Sequence, residues 1–136
     1  MRFSLISITK KVLEADVASV TLPTKTGYIT VLPKHEPLVA ALNPGVLSVT
    51  VEGKVQSFAI GGGVLEIDGE NVSVLADMVE AGASIDSDAA VQRKNEAARL
   101  LKEARDAGST DMESLIALEE EYMKEEARVK LASGTI

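Results

Sequence analysis

From Met1 to about Ser84, apolar residues alternate with polar ones in short runs: Phe3 and Leu5, Val49 and Val51, Phe58 and Ile60, Val72 and Val74. A period of two sends successive side chains to opposite faces of a strand, and Gly or Pro turns separate the runs. Strands are predicted over 3–9, 15–22, 28–32, 38–42, 46–51, 55–60, 64–67 and 71–77. Glu52-Gly53-Lys54 and Asp68-Gly69-Glu70 lie between neighbouring runs as hairpin turns. So many short strands at close spacing predict an N-terminal antiparallel β-sandwich or flattened barrel over residues 1–84.

The pattern changes at Ala81-Gly82-Ala83-Ser84. Beyond this joint there is no proline, and Ala, Glu, Lys, Arg and Leu dominate, the composition of helix. One helix is predicted over 86–107, ended by Gly108. A second is predicted to begin at Thr110, because Thr110 and Glu113 have the spacing of a capping box. The Gly108-Ser109 link is short enough to make residues 85–136 an antiparallel helical hairpin. The fold class expected is therefore α+β.

Neither helix offers a continuous apolar face. Large apolar residues of the first are few, Val91, Leu100 and Leu101, and Glu119 and Glu126 fall within the apolar arc of the second. Such a hairpin is expected to dock weakly on the sandwich.

Composition narrows the function. The net charge of -7, with two Phe, two Tyr and no Trp, gives no basic surface for phosphates and few rings for stacking bases, so nucleic acid is not an expected partner. There is no cysteine, which excludes disulfides and thiolate chemistry. The longest charge-free stretch, between Glu36 and Glu52, is broken by Asn43-Pro44-Gly45 and falls short of the roughly 20 apolar residues of a membrane span. No direct membrane insertion is expected. The N-terminus alternates Ser with apolar residues and reads as a first strand, not as a secretory signal.

Three of the four prolines and the single histidine fall within residues 26–45, TGYITVLPKHEPLVAALNPG. Pro33 and Pro37 flank Lys34-His35-Glu36; each fixes its own φ, removes a donor and restricts the residue before it. The tripeptide is predicted to be a stiff loop tip, of the kind that makes contacts on a β scaffold. His35 by itself can be an exposed loop residue, a contact residue or a catalytic group. With one imidazole, the chain cannot build a histidine-clustered metal site. Gly61-Gly62-Gly63 is followed by a strand and lacks the Lys-Ser/Thr pair of a phosphate loop, so it marks a bulge or a close strand approach. Asp86-Ser87-Asp88 lacks the Gly and the bidentate Glu of a calcium loop, with Val91 and Ala97 at those positions, and reads as an acidic helix start.

These pieces also carry a resemblance. Residues 26–45, then GGGVLEIDGENVSVLAD over 61–77, then the Ala-rich tail after Ile85 resemble the epsilon subunit of the F-type, proton-translocating ATP synthase over nearly the whole chain. The resemblance rests on the order of the Pro-x-His-x-Pro-Leu loop, the Pro-Gly turn, the Gly-Gly-x-x-Glu segment, the Leu-Ala-Asp strand end and the hairpin. It departs from the family at Ile29-Thr30, where a second glycine is common. It implies a sandwich followed by a hairpin, in a non-catalytic central-stalk subunit that couples proton flow to ATP synthesis and restrains ATP hydrolysis through the hairpin. The partners implied are the gamma subunit, the c subunits of the rotor ring through Lys34, His35 and Glu36, and the alpha and beta subunits of the catalytic head through the hairpin. The location implied is peripheral, at the cytoplasmic face of the bacterial inner membrane. No cofactor is implied. Nucleotide-binding members carry Ile-Asp-x-x-Arg-Ala; Ile85, Asp86 and Ala90 match, but Ala89 replaces the arginine, and Arg93 is one turn further on. Without that guanidinium, ATP is expected to bind weakly or not at all as a regulatory ligand. The residues without the resemblance leave a free-standing small-molecule-binding or hydrolytic β-domain open.

Overall fold

A computed structural model describes residues 1–108 and 110–134. Ser109 of the predicted link and residues 135–136 of the predicted hairpin lie outside the described residues. The chain forms β1 (Arg2–Ser7), β2 (Lys11–Asp16), β3 (Ser19–Thr24), β4 (Gly27–Val31), β5 (Leu38–Leu42), β6 (Gly45–Val51), β7 (Lys54–Ile60), β8 (Gly63–Asp68), β9 (Asn71–Ala76) and β10 (Val79–Ala81). A short 3-10 turn (Gly82–Ser84) leads to α1 (Ser87–Asp106) and α2 (Met112–Ser133).

The strands make one folded-over 10-stranded sheet in the order β10-β7-β6-β3-β5-β8-β9-β1-β2, with β4 on β3. The single Thr24–Leu42 pairing between β3 and β5 is the corner where one layer passes into the other. Among the described residues every pairing is antiparallel except β1 with β9, which runs parallel. The alternation predicted from sequence fills the space between the layers: Phe3, Leu5, Leu22, Leu47, Ile60 and Leu65 are each 0% exposed. At about 25 cal/mol per Å² of apolar surface, this core is the main source of the sandwich's stability.

The hairpin turns follow their residues. Glu52 (φ 50) and Gly53 (φ 78) are both left-handed, the backbone of a type I′ turn, and it joins β6 to β7. Gly45 of the Pro-Gly turn meets a different demand: a Cβ there would fall 2.7 Å from the Tyr28 hydroxyl, which accepts the Val46 N–H at 3.1 Å.

The structure corrects three sequence expectations. The strand expected over 15–22 is two strands, broken at Val17 and Ala18, whose N–H groups bond to Met1 O and Thr50 O and so turn the chain between layers. β10 was not expected, being three residues long and paired at the edge of β7. The second helix is capped by Asp111, whose carboxylate accepts the Ser114 N–H at 3.3 Å, and not by a Thr110–Glu113 box; a carboxylate one residue later reaches the free amide with the same geometry. The first helix begins as expected, with Asp86 as its N-cap.

Candidate functional site

Between β4 and β5 the proline-flanked loop doubles back. Lys34 takes φ 68, His35 N–H donates to Leu32 O at 3.2 Å, and His35 Nδ1 donates to Glu36 O at 2.8 Å. The loop therefore holds its shape through local hydrogen bonds, one between backbone groups and one from the His35 ring. Lys34 and Glu36 are exposed, His35 is half-buried, and Leu32 beside them is exposed. Strand register fixes the position of the tip: Val31 pairs with Val20, Ser19 with Thr50, and Leu38 with Ile67. The loop thus shares one end of the sandwich with the Glu52-Gly53 and Gly69-Glu70 turns. Lys25, Gly45 and Asp77 lie at the opposite end.

The layer facing away from the hairpin carries a feature that sequence reasoning did not find. Ala41 pairs with Val64, Val64 with Leu75, and Leu75 with Ile6, so one apolar row crosses the outer face of β5, β8, β9 and β1. Val64, Leu75 and the neighbouring Ile8 are exposed. A shallow groove of about 540 Å³ runs along this row, lined by Ile6, Ile8, Val64 and Leu75. The signal was present as apolar residues at the outward positions of strands whose inward positions were also apolar.

The hairpin lies on the other layer. α2 covers Val46 and Ala59 with Ala127 and Leu131, beside Met78 and Ile85, and α1 packs on α2 through a seam that includes Ala90, Ala97 and Leu101. The apolar joint is small. Ion pairs surround it: Arg128 with Glu80 at 2.8 Å, Lys124 with Asp77 at 3.6 Å, and Lys25 with Glu120 at 3.9 Å. The triple glycine permits close approach on both sides, since a Cβ at Gly61 would meet the Asp77 carboxylate and one at Gly63 the Leu75 carbonyl.

Ile85, Asp86 and Arg93 have separate roles in this arrangement. Ile85 packs against the small apolar joint, and Asp86 accepts the Ala89 N–H at 3.1 Å. Arg93 Nε donates to both oxygens of Glu125 at 3.1 Å. Ala89, at the position where the resemblance would place an arginine, is half-buried. No group of three or more His, Cys, Asp or Glu among the described residues is placed to hold a metal. No helix among them is long and apolar enough to cross a membrane.

The architecture is thus a folded-over β-sandwich with a two-helix hairpin on one layer, a proline-flanked polar loop at one end and an apolar row on the free layer. The family model for the ATP synthase delta/epsilon chain β-sandwich domain matches residues 1–82. The ATP synthase epsilon chain of Gloeothece citriformis is 35% identical over 97% of this chain and 94% of its own length, and that of a Synechococcus species is 31% identical over 100% and 97%. A chain of the Euglena gracilis mitochondrial ATP synthase, in a structure of OSCP, F1 and the c-ring, matches with a TM-score of 0.69 at 28% identity, over 92% of this chain and 76% of that one. A chain of the Tetrahymena thermophila mitochondrial ATP synthase central stalk and c-ring has the same fold, with a TM-score of 0.60 at 14% identity. The chain belongs to the ATP synthase delta/epsilon family, among its epsilon chains.

Proposed function

We propose that this chain is a non-catalytic subunit of the rotating central stalk of a proton-translocating ATP synthase, coupling proton flow to ATP synthesis and restraining ATP hydrolysis through its hairpin. The observation that carries the proposal is that similarity to epsilon chains runs through both sandwich and hairpin, over 97% of the chain. Local geometry supports the assignment of partners. The tip Lys34-His35-Glu36, held by its own local hydrogen bonds, loses little further entropy on docking and is the contact to the c subunits of the rotor ring. The apolar row of Ile6, Val64 and Leu75 on the free layer is the contact to the gamma subunit. The hairpin, weakly seated, takes a second, extended arrangement toward the alpha and beta subunits of the catalytic head. The subunit is peripheral, at the cytoplasmic face of a bacterial inner membrane.

Two experiments test this. A chain ended after Ser84 keeps the apolar core, assembles into the enzyme and raises its ATP hydrolysis while synthesis persists; normal assembly with no rise under any nucleotide or energisation condition refutes the inhibitory role. Replacing Lys34, His35 and Glu36 together by Ala leaves thermal stability unchanged and weakens proton pumping by reconstituted enzyme. Unchanged pumping removes the loop from the coupling contact.

A further inference from the structure

Four charged side chains run in a line through the joint: Glu80 on β10, Arg128 and Glu125 on α2, and Arg93 on α1. Arg128 donates to Glu80 through Nε at 3.2 Å and Nη2 at 2.8 Å, and its Nη1 reaches Glu125. Arg93 Nε meets both Glu125 oxygens at 3.1 Å. Glu125 is 1% exposed, the one charged residue among the described residues that is buried. A buried carboxylate is tolerated only while its partners stay in place, and removing one of them leaves an uncompensated charge. Its two partners sit on different helices, and one of these, Arg128, also holds the sandwich. Of the remaining ion pairs between hairpin and sandwich, Lys25–Glu120 joins two half-exposed side chains at 3.9 Å and Lys124–Asp77 joins a half-buried lysine to an exposed carboxylate at 3.6 Å, and such pairs near the surface contribute little. Arg128 is pulled toward neutrality by burial, but hydrogen bonds and charge from Glu80 and Glu125 more than offset this, so its guanidinium stays ionised.

We infer that Glu125 is the latch of the docked hairpin: through Arg93 it ties α1 to α2, and through Arg128 and Glu80 it ties both to the sandwich. Resting on the hairpin's second arrangement proposed above, the latch names what must break for that arrangement to form. Losing Glu125 releases the two helices together.

The chain has no native cysteine, so Lys54→Cys on β7 and Glu113→Cys on α2, both at exposed positions, take spin labels without side reactions. Pulsed electron resonance on the full labelled chain then reads the distance from sandwich to hairpin. The unmodified joint gives one docked distance at low salt. Glu125→Gln shifts the ratio of longer to docked distances at least tenfold, and Glu80→Gln shifts it in the same direction. Glu96→Gln, which loses an ion pair contained within α1, leaves the distribution unchanged. Amide spectra of residues 1–82 report that the sandwich stays folded; should Glu125→Gln lose that fold, Glu80→Gln decides. A docked distance that persists in Glu125→Gln and Glu80→Gln overturns the latch, as does equal release by Glu96→Gln. The latch and the inhibitory role fail separately: truncation after Ser84 without a rise in hydrolysis removes the latter and leaves the distances as they are.

Discussion

The sandwich and the hairpin are held by different forces, and the contrast separates a part sealed by apolar burial from one seated on a small apolar joint ringed by ion pairs. Between the sheet layers, Phe3, Leu5, Leu47 and Leu65 are sealed from water, and their burial does not depend on the geometry of any single pair. Between sandwich and hairpin, the apolar contact reduces to Val46, Ala59 and Ala127 with three half-buried neighbours, and charged pairs make up the rest. Such pairs are directional, and those near the surface are weakened by salt. A core of the first kind unfolds as a whole, whereas a joint of the second kind opens without unfolding what lies beneath it.

The largest expected effect breaks the sandwich side of the comparison. Leu47→Ala removes a side chain that is 0% exposed from the middle of β6, leaving a cavity between the layers. Urea denaturation should show a loss of about 2 to 5 kcal/mol. A loss confined to the hairpin signals would mean that the two parts share one core after all.

Two glycine substitutions two residues apart sharpen the contrast. Gly63→Ala drives a methyl into the Leu75 carbonyl of the adjoining strand, so backbone must move, and a loss of about 1 to 3 kcal/mol in sandwich stability is expected. Gly61→Ala meets the side chain of Asp77, which is half exposed and free to swing away. The expected cost is the Asp77–Lys124 pair, about 0 to 1 kcal/mol, read in hairpin docking rather than in global unfolding. If the two variants destabilise the sandwich equally, the joint at Gly61 is as rigid as the sheet.

The difference between the two regions also decided what the sequence made legible. Strand alternation reflects burial of one face, so residues such as Phe58 and Ile60 announced their strand without knowledge of its neighbours. The loop at Lys34-His35-Glu36 was legible because proline acts on local backbone, and the structure has that loop turned back by local hydrogen bonds. The break at Val17 and Ala18 was not, because what divides β2 from β3 is bonding to Met1 and Thr50, distant in sequence. Glu125 was invisible for the same reason. It follows a run of acidic residues, and its burial depends on Arg93, 32 positions away, and on an Arg128 tied to Glu80, 48 positions away. A pattern of charges shows the capacity to pair; topology chooses the partner.

The smallest expected effect concerns acid. Two carboxylates of the hairpin are held below their ordinary values: Asp111 by the Ser114 hydroxyl and then the Ser114 N–H, and Glu96 by its hydrogen bonds with Arg99, partly opposed by desolvation. On the sandwich, Glu14 is lowered by Lys11 and Arg2. A carboxylate lowered in the folded state stabilises that state fully above its ordinary value, 3.8 for Asp111, and loses the contribution as pH falls through the lowered folded value. Helix signal from the hairpin should therefore hold from neutral pH into the ordinary carboxylate range and fall only below it, while the near-ultraviolet phenylalanine bands, which come from Phe3 and Phe58 of the apolar sandwich, fall later or not at all. Asp111→Asn keeps an oxygen to accept the Ser114 N–H and cannot titrate, so it should flatten the part of the acid limb that belongs to α2. An unchanged limb in Asp111→Asn would assign the acid response to other carboxylates. A sandwich signal that falls together with the helix signal would show that charge, and not apolar burial, governs both regions.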